Sequence, residues 1–150
     1  MDSLQNNDLI LFEKELMFIE KYVKLEQLRF GEKINMIYDI QEKDFYVPSL
    51  TIQPLVENAI KHGITVKETG GTVVLQTKRV DNNIIISIID DGVGFEVEGK
   101  RDESKTHIGL SNVKNRLNYL VDANMEIKSS DKGTNIQIIL KNVKKGKAEW

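Results

Sequence analysis

Cysteine is absent from these 150 residues, and histidine occurs only twice, at His62 and His107. The first absence excludes disulfides, a thiolate nucleophile and every cysteine-based metal site. The second argues against a histidine-rich metal centre. No apolar run approaches the roughly 20 residues a helix needs to span a bilayer. The opening MDSLQNND lacks the basic stretch and following apolar stretch of a secretory signal, so a cytoplasmic setting is expected. Charge of one sign is not in excess: 21 Lys and Arg stand against 23 Asp and Glu, a formal −2. That balance gives no general pull toward nucleic acid or anionic lipid. Neither an internal repeat nor a low-complexity tract is visible. What is there, 40% hydrophobic and 29% charged residues, is ordinary for a globular protein. The length suits one domain with a real core.

Apolar spacing orders the chain. Residues 9–30 read as a helix: Phe12, Leu16, Ile19 and Val23 form one stripe, and Phe18, Tyr22 and Leu25 a second. Two stripes fit either a core-covering helix or one that also packs in a dimer bundle or against another domain. Residues 32–40 alternate Ile34, Met36, Tyr38 and Ile40, a half-buried strand. Pro48 interrupts the chain before a helix over TIQPLVENAIKHG, residues 51–63. Strands 72–80 and 83–90 flank an Asp81-Asn82-Asn83 turn. The nearly unbroken apolar run Ile84–Ile89 suggests a central strand covered on both faces. Residues 96–107 are polar and charged, a mobile loop. Leu110, Val113, Leu117 and Leu120 then stripe a helix, and 125–130 with 134–140 close a second hairpin around Asp131-Lys132-Gly133. The basic tail 141–150 is expected to fray. Three helices with about five strands, mostly in hairpins, predict an α+β fold: one mixed, mostly antiparallel sheet with helices on one face. The regular alternation of a dinucleotide-binding fold is missing.

Three stretches carry candidate chemistry. At about 100° per residue, Ile52, Leu55, Val56, Ala59 and Ile60 share one arc of helix 51–63. Asn58 and His62 fall together at its edge, either as boundary residues satisfied by backbone or water, or on the rim of a cleft. Glu57 and Lys61 lie on the far side at i, i+4, a spacing that permits an ion pair. DDGVGF, residues 90–95, ends the most apolar strand with an acid and two alternating glycines. It reads as a plain turn, or as a wall where a flat ligand approaches the main chain and a carboxylate accepts from an exocyclic amine. It is not the GxGxxG fingerprint. THIGLSNVKNRL, residues 106–117, leads through a glycine into a helix whose free N–H groups favour anions.

QPLVENAIKHGI, DDGVGF and HIGLSNVKNRL, in that order, resemble the catalytic ATP-binding domain of sensor histidine kinases. That domain shares the Bergerat ATP-binding fold with type II topoisomerases and mismatch-repair ATPases. The wording is similar to the LytS- and YesM-like branch, and ELMFIEKYVKLEQLRFGEKI resembles the segment that precedes the nucleotide domain there. The match runs over about residues 9–140.

The resemblance implies roles. Asn58 would ligate Mg²⁺ bridging the ATP phosphates through its amide oxygen, a suitable donor for a hard cation. Lys61 would contact phosphate, giving Asn58 and Lys61 the catalytic part, and His62 would abut the nucleotide. Asp90 would accept from the adenine amino group, with Gly92 and Gly94 shaping that wall. Gly109 and Leu110 would form the hinge of a lid over about 95–108, in which Lys100, Arg101 and Lys105 could reach phosphates. Gly133 and Thr134 would lie near Asp90, Thr134 through water. Two departures stand out. Pro54 occupies the position, four before Asn58, where relatives often carry a polar or acidic side chain, so no base for hydrolysis is evident. Thr106-His107-Ile108-Gly109 has fewer glycines than the fullest form of its motif, implying a stiffer hinge.

The implied activity is transfer of the ATP γ-phosphoryl group to a histidine, then to a response regulator. Neither His62 nor His107 has the acceptor's context. Residues 1–31 are therefore expected to lead from a dimerisation and acceptor region absent from this chain, and 32–150 to form the ATP-binding domain. The chain would be the cytoplasmic portion of a membrane-anchored, homodimeric parent, itself monomeric and inactive alone for want of the acceptor. Nucleic acid is not an expected partner. A catalytically silent ATP-binding module and a serine kinase of the anti-sigma-factor type, which share the fold, are the alternatives.

Overall fold

A computed structural model describes residues 9–94 and 105–143, with the side chains of 105–109 and Leu120 left out. The chain runs β1 (Leu9–Leu11), α1 (Phe12–Phe30), a 3₁₀ turn (Gly31–Lys33), β2 (Ile34–Ile40) and β3 (Tyr46–Pro48). It continues with α2 (Ile52–Asn58), a π-helical extension (Ala59–Ile64), β4 (Gly71–Val80) and β5 (Asn83–Asp90). Then come α3 (Lys105–Leu120), β6 (Ala123–Ser130) and β7 (Gly133–Leu140).

Five strands form one sheet in the order β2-β4-β5-β7-β6. Only β2 and β4 pair in parallel; the other ladders are antiparallel. The sheet is thus mixed and mostly antiparallel, in an α+β fold. The β4–β5 hairpin turns at Asp81, whose φ of 59° is the left-handed conformation such a turn requires. Ile84, Ile86 and Ile88 of β5 point into the core with Val73 and Leu75 of β4 and Ile136 and Ile138 of β7. β5 is central, yet it is not covered equally on both faces: Ile85 and Ile89 remain half-buried. Its outward isoleucines are only partly covered while the inward ones are fully buried, although Ser87 on the outward face is buried as well.

Two departures affect the helices. Residues 9–11 are a strand and not the first turn of a helix: Leu9–Leu11 pairs with Tyr46–Pro48 in a separate two-stranded ribbon. The Phe12 N–H donates to Phe45 O at 2.8 Å, and the two rings stack 4.9 Å apart. These contacts anchor the start of α1, where Glu13 and Glu15 suit the positive helix end. Within α1, Phe12, Ile19 and Val23 are buried in the common core, as their spacing predicts. Of the second stripe only Tyr22 packs; Phe18 and Leu25 are exposed.

α2 buries its whole apolar arc, Ile52, Leu55, Val56, Ala59 and Ile60. Beyond Asn58 the helix widens into π geometry, a rare form often found at functional sites. The wider turn breaks the i, i+4 register, and the Glu57–Lys61 pair permitted by the sequence is not formed. Glu57 Oε2 instead accepts from Gln53 Nε2 at 2.9 Å. α3 begins at Lys105, so Gly109 lies inside the helix and residues 105–108 belong to it and not to a loop. A helix can run through one glycine at a cost of about 1 kcal/mol. Leu110, Val113 and Leu117 seat α3 on the core. Among the described residues no helix is long and apolar enough to cross a membrane.

Candidate functional site

Between α2 with its π-helical extension and the adjoining end of β5 and start of β7 lies a cavity of about 200 Å³. Leu55, Asn58, Ala59 and His62 line it from the helix, and Asp90, Thr134 and Ile136 from the strands. Gly63, Gly94 and Leu110 complete its walls. The lining is mostly apolar, with polar groups at defined points, the usual make-up of a small-molecule site.

Asp90 is the buried acid of the strand wall, with 7% of its surface exposed, and Thr134 beside it in the ladder is buried to the same degree. The Gly92 N–H donates to its Oδ1 at 2.8 Å. Burial pushes its carboxyl up to about 6; neighbouring Asp91 adds to this, while the Gly92 and Thr134 backbone N–H groups and Lys67 oppose it. Asp91 does different work. Its Oδ1 accepts the Thr72 N–H at 2.7 Å, and its carbonyl accepts from Lys67 Nζ at 2.9 Å. Of the two consecutive acids, one closes the turn and the other faces the cavity.

The glycines explain how the turn seals. A side chain on Gly92 would collide with the Gly63 backbone, and a Cβ on Gly63 would stand 3.0 Å from Asp90 Oδ1. The Val93 N–H donates to Gly63 O at 3.2 Å, joining the π-helical end to the strand turn. Gly94 has a φ of 73°, and a side chain there would strike Ser130 O. Thr134 stands opposite Asp90 in the β5–β7 ladder, its hydroxyl 2.7 Å from Ser129 Oγ.

Of the residues singled out in the sequence, Asn58, His62, Asp90, Gly94, Leu110 and Thr134 converge on the cavity. Lys61 is exposed and lines none of it; Gly92 supports Asp90 from behind. Gly109 sits in the early part of α3, and Gly133 opens β7. Most of the expected lid, including Lys100 and Arg101, lies outside the described residues. Among those described, no group of three or more His, Asp or Glu converges to hold a metal. A cation here would draw on Asn58's amide oxygen together with ligand and water oxygens. The sequence reading passed over Gly63, whose signal was its place directly after His62. It also passed over the apolar lining by Leu55 and Ala59, which read simply as the helix's apolar arc, and by Ile136, which it did not single out.

Residues 48–144 match the family of histidine kinase-, DNA gyrase B- and HSP90-like ATPases. Sensor histidine kinase YpdA of Escherichia coli is 37% identical over 93% of the chain, which spans 26% of that protein. Sensor protein LytS of Oceanobacillus iheyensis is 33% identical over 95% of the chain, which spans 27% of it. The chain thus covers about a quarter of these curated relatives. Among solved structures, Acinetobacter baumannii histidine kinase AdeS superposes with a TM-score of 0.69 at 18% identity, covering 93% of this chain and 73% of that one. The catalytic domain of histidine kinase ThkA gives 0.65 at 15% identity, covering 90% of this chain and 96% of that one. At those identities the two structures bear on the fold alone.

Proposed function

The chain belongs to the family of histidine kinase-, DNA gyrase B- and HSP90-like ATPases, and we propose that it binds Mg-ATP as the catalytic part of a sensor histidine kinase. Its γ-phosphoryl group would go to a histidine on an acceptor helix, and from there to a response regulator. The observation that carries this reading is the convergence of Asn58, Asp90 and Thr134 on one largely apolar cavity.

The residues fit such a ligand. Leu55, Ala59 and Ile136 offer apolar walls to a flat base, and Asp90 offers one buried acceptor for its exocyclic amine. Thr134 supplies a hydroxyl beside that carboxylate. Asn58 and His62 project from the helix on the same cavity, where Asn58 can turn an oxygen toward a magnesium ion. Lys61, exposed one turn from Glu57, is free of that carboxylate and available to an anionic phosphate. Bound magnesium would neutralise phosphate charge. The protein's part is otherwise to align the phosphates and exclude competing geometry, since phosphoryl transfer rests on positioning and electrostatics. Glu57 is bonded to Gln53, and Pro54 offers no base, so transfer is favoured over hydrolysis.

One mixture tests this. The chain, ATP and Mg²⁺ are combined with a separate fragment carrying a relative's acceptor helix. Acid-labile phosphate on that fragment's histidine supports the reading. Nucleotide binding without transfer indicates a silent regulatory module, and acid-stable phosphoserine on a partner indicates a serine kinase.

A further inference from the structure

The first turn of α2 has no local cap. A helix start leaves its leading N–H groups without intrahelical partners. Thr51, at the N-cap position, makes no side-chain capping bond, and its buried hydroxyl has no partner. The acceptor comes from α1 instead. Glu15, 1% exposed, takes the Leu50 N–H on Oε1 at 2.9 Å. Its Oε2 takes the N–H groups of Thr51, Ile52 and Gln53 at 3.0, 2.7 and 3.0 Å. The next residue, Pro54, has no N–H to satisfy. One carboxylate therefore accounts for every free donor of that turn.

The corner it grips is held from the opposite side as well. Arg116 of α3 donates from Nε to Ser49 O at 3.0 Å. Between the two grips Leu50 has a φ of 57°, a conformation that non-glycine residues keep only when their surroundings impose it. Beyond the corner, α2 and its extension carry Asn58 and His62 into the cavity, while α3 carries Leu110. The seat of α2 thus depends on a side chain from a helix that contributes nothing to the cavity lining.

We propose that Glu15 is a positioning residue of the nucleotide pocket, fixing the axial and rotational seat of α2 and through it the place of Asn58. The proposal rests on reading the cavity as an ATP site. Its effect belongs to the helix wall: Glu15 acts on the magnesium-dependent part of binding and leaves the strand wall at Asp90 alone.

The test is a double-mutant cycle on the whole chain, read by titration of a fluorescent ATP analogue with and without Mg²⁺. Glu15→Gln is expected to weaken Mg²⁺-dependent binding about tenfold, and to change it less than about twofold when Asn58 is already alanine. Combined with Asp90→Asn, the two losses should multiply. Equal losses from Glu15→Gln in the wild-type and Asn58→Ala backgrounds overturn the proposal, because a merely destabilising change does not depend on Asn58. Should Glu15→Gln fail to show a cooperative melt, Glu15→Asp keeps the charge but withdraws it by one methylene. It should reproduce the same Asn58-dependent loss, and wild-type affinity in it overturns the proposal. A wild-type chain that does not bind nucleotide removes the ATP reading and this role with it. Binding that is sensitive to Asp90 but not to Glu15 removes this role alone.

Discussion

The two walls of the cavity are built by opposite means. The strand wall is buried and closely sealed: Asp90 is fixed by the Gly92 N–H, and Gly63 and Gly92 meet at a distance that admits no side chain. The helix wall is more exposed and less regular. His62 is exposed, Lys61 beside it lies outside the lining, and the helix changes to π geometry as it passes Asn58. A rigid, desolvated acceptor suits recognition of a defined base edge, because a wrong partner leaves a buried polar group unsatisfied. An accessible wall with an amide, and a lysine just outside it, suits a charged and hydrated group such as a metal-bound phosphate chain. Under the proposed function, the contrast would give selectivity to the strands and phosphate alignment to the helix.

Substitutions should separate the two walls by size and kind of effect. Asp90→Ala is expected to be the most severe, lowering ATP affinity on the order of 100-fold by calorimetry with or without Mg²⁺. Asn58→Ala should cost roughly tenfold, and only in the presence of Mg²⁺. If both losses had the same Mg²⁺ dependence, the division between the walls would not hold.

Acid should imitate the loss of Asp90. Its carboxyl sits at about 6 in the folded chain against 3.8 for the free group. Between pH 7 and 5 protonation removes the charge that strengthens this acceptor, and ATP affinity should fall about tenfold, a dependence that Asp90→Asn should lack. Stability without nucleotide should run the other way. A raised acid pKa means the folded state holds its proton more tightly than the unfolded chain. Asp90 therefore costs stability progressively as pH rises from about 4 to 6, and Asp90→Asn should remove that slope in urea unfolding. Smallest of all, Lys61→Ala should weaken ATP binding about threefold at low salt and almost not at all in high salt, because the group is exposed and screened.

The strand wall was also the more legible in sequence. The nearly unbroken apolar run that ends in DDGVGF placed β5 and its terminal acid correctly, since a β-branched run and the glycine turn after it are local properties. Residue pattern alone did not separate the two adjacent acids, and only the family resemblance singled out Asp90; the partners of Asp91, Thr72 and Lys67, lie elsewhere in the chain. The helix wall was legible in its apolar arc, from Ile52 to Ile60, but not in its geometry. No residue between Ala59 and Ile64 announces a π turn; it arises where the helix must meet Gly92. Nothing in the sequence singles out Glu15, because its four donors lie 35 to 38 positions away. The Leu9–Leu11 strand was hidden for the same reason, its partner being the equally short Tyr46–Pro48. Local periodicity reports which face is buried, and long-range polar pairing does not enter it.

Selectivity for the base is the most direct test of the central claim that this cavity is an adenine-nucleotide site read by Asp90. Mg-ATP and Mg-GTP are titrated calorimetrically into the wild-type chain at pH 7.5. Guanine presents a carbonyl oxygen where adenine presents an amine, and an ionised Asp90 can accept only from the amine. The expected result is binding of ATP at least about tenfold tighter than GTP. Equal affinities for the two, or no binding of either, would contradict the account.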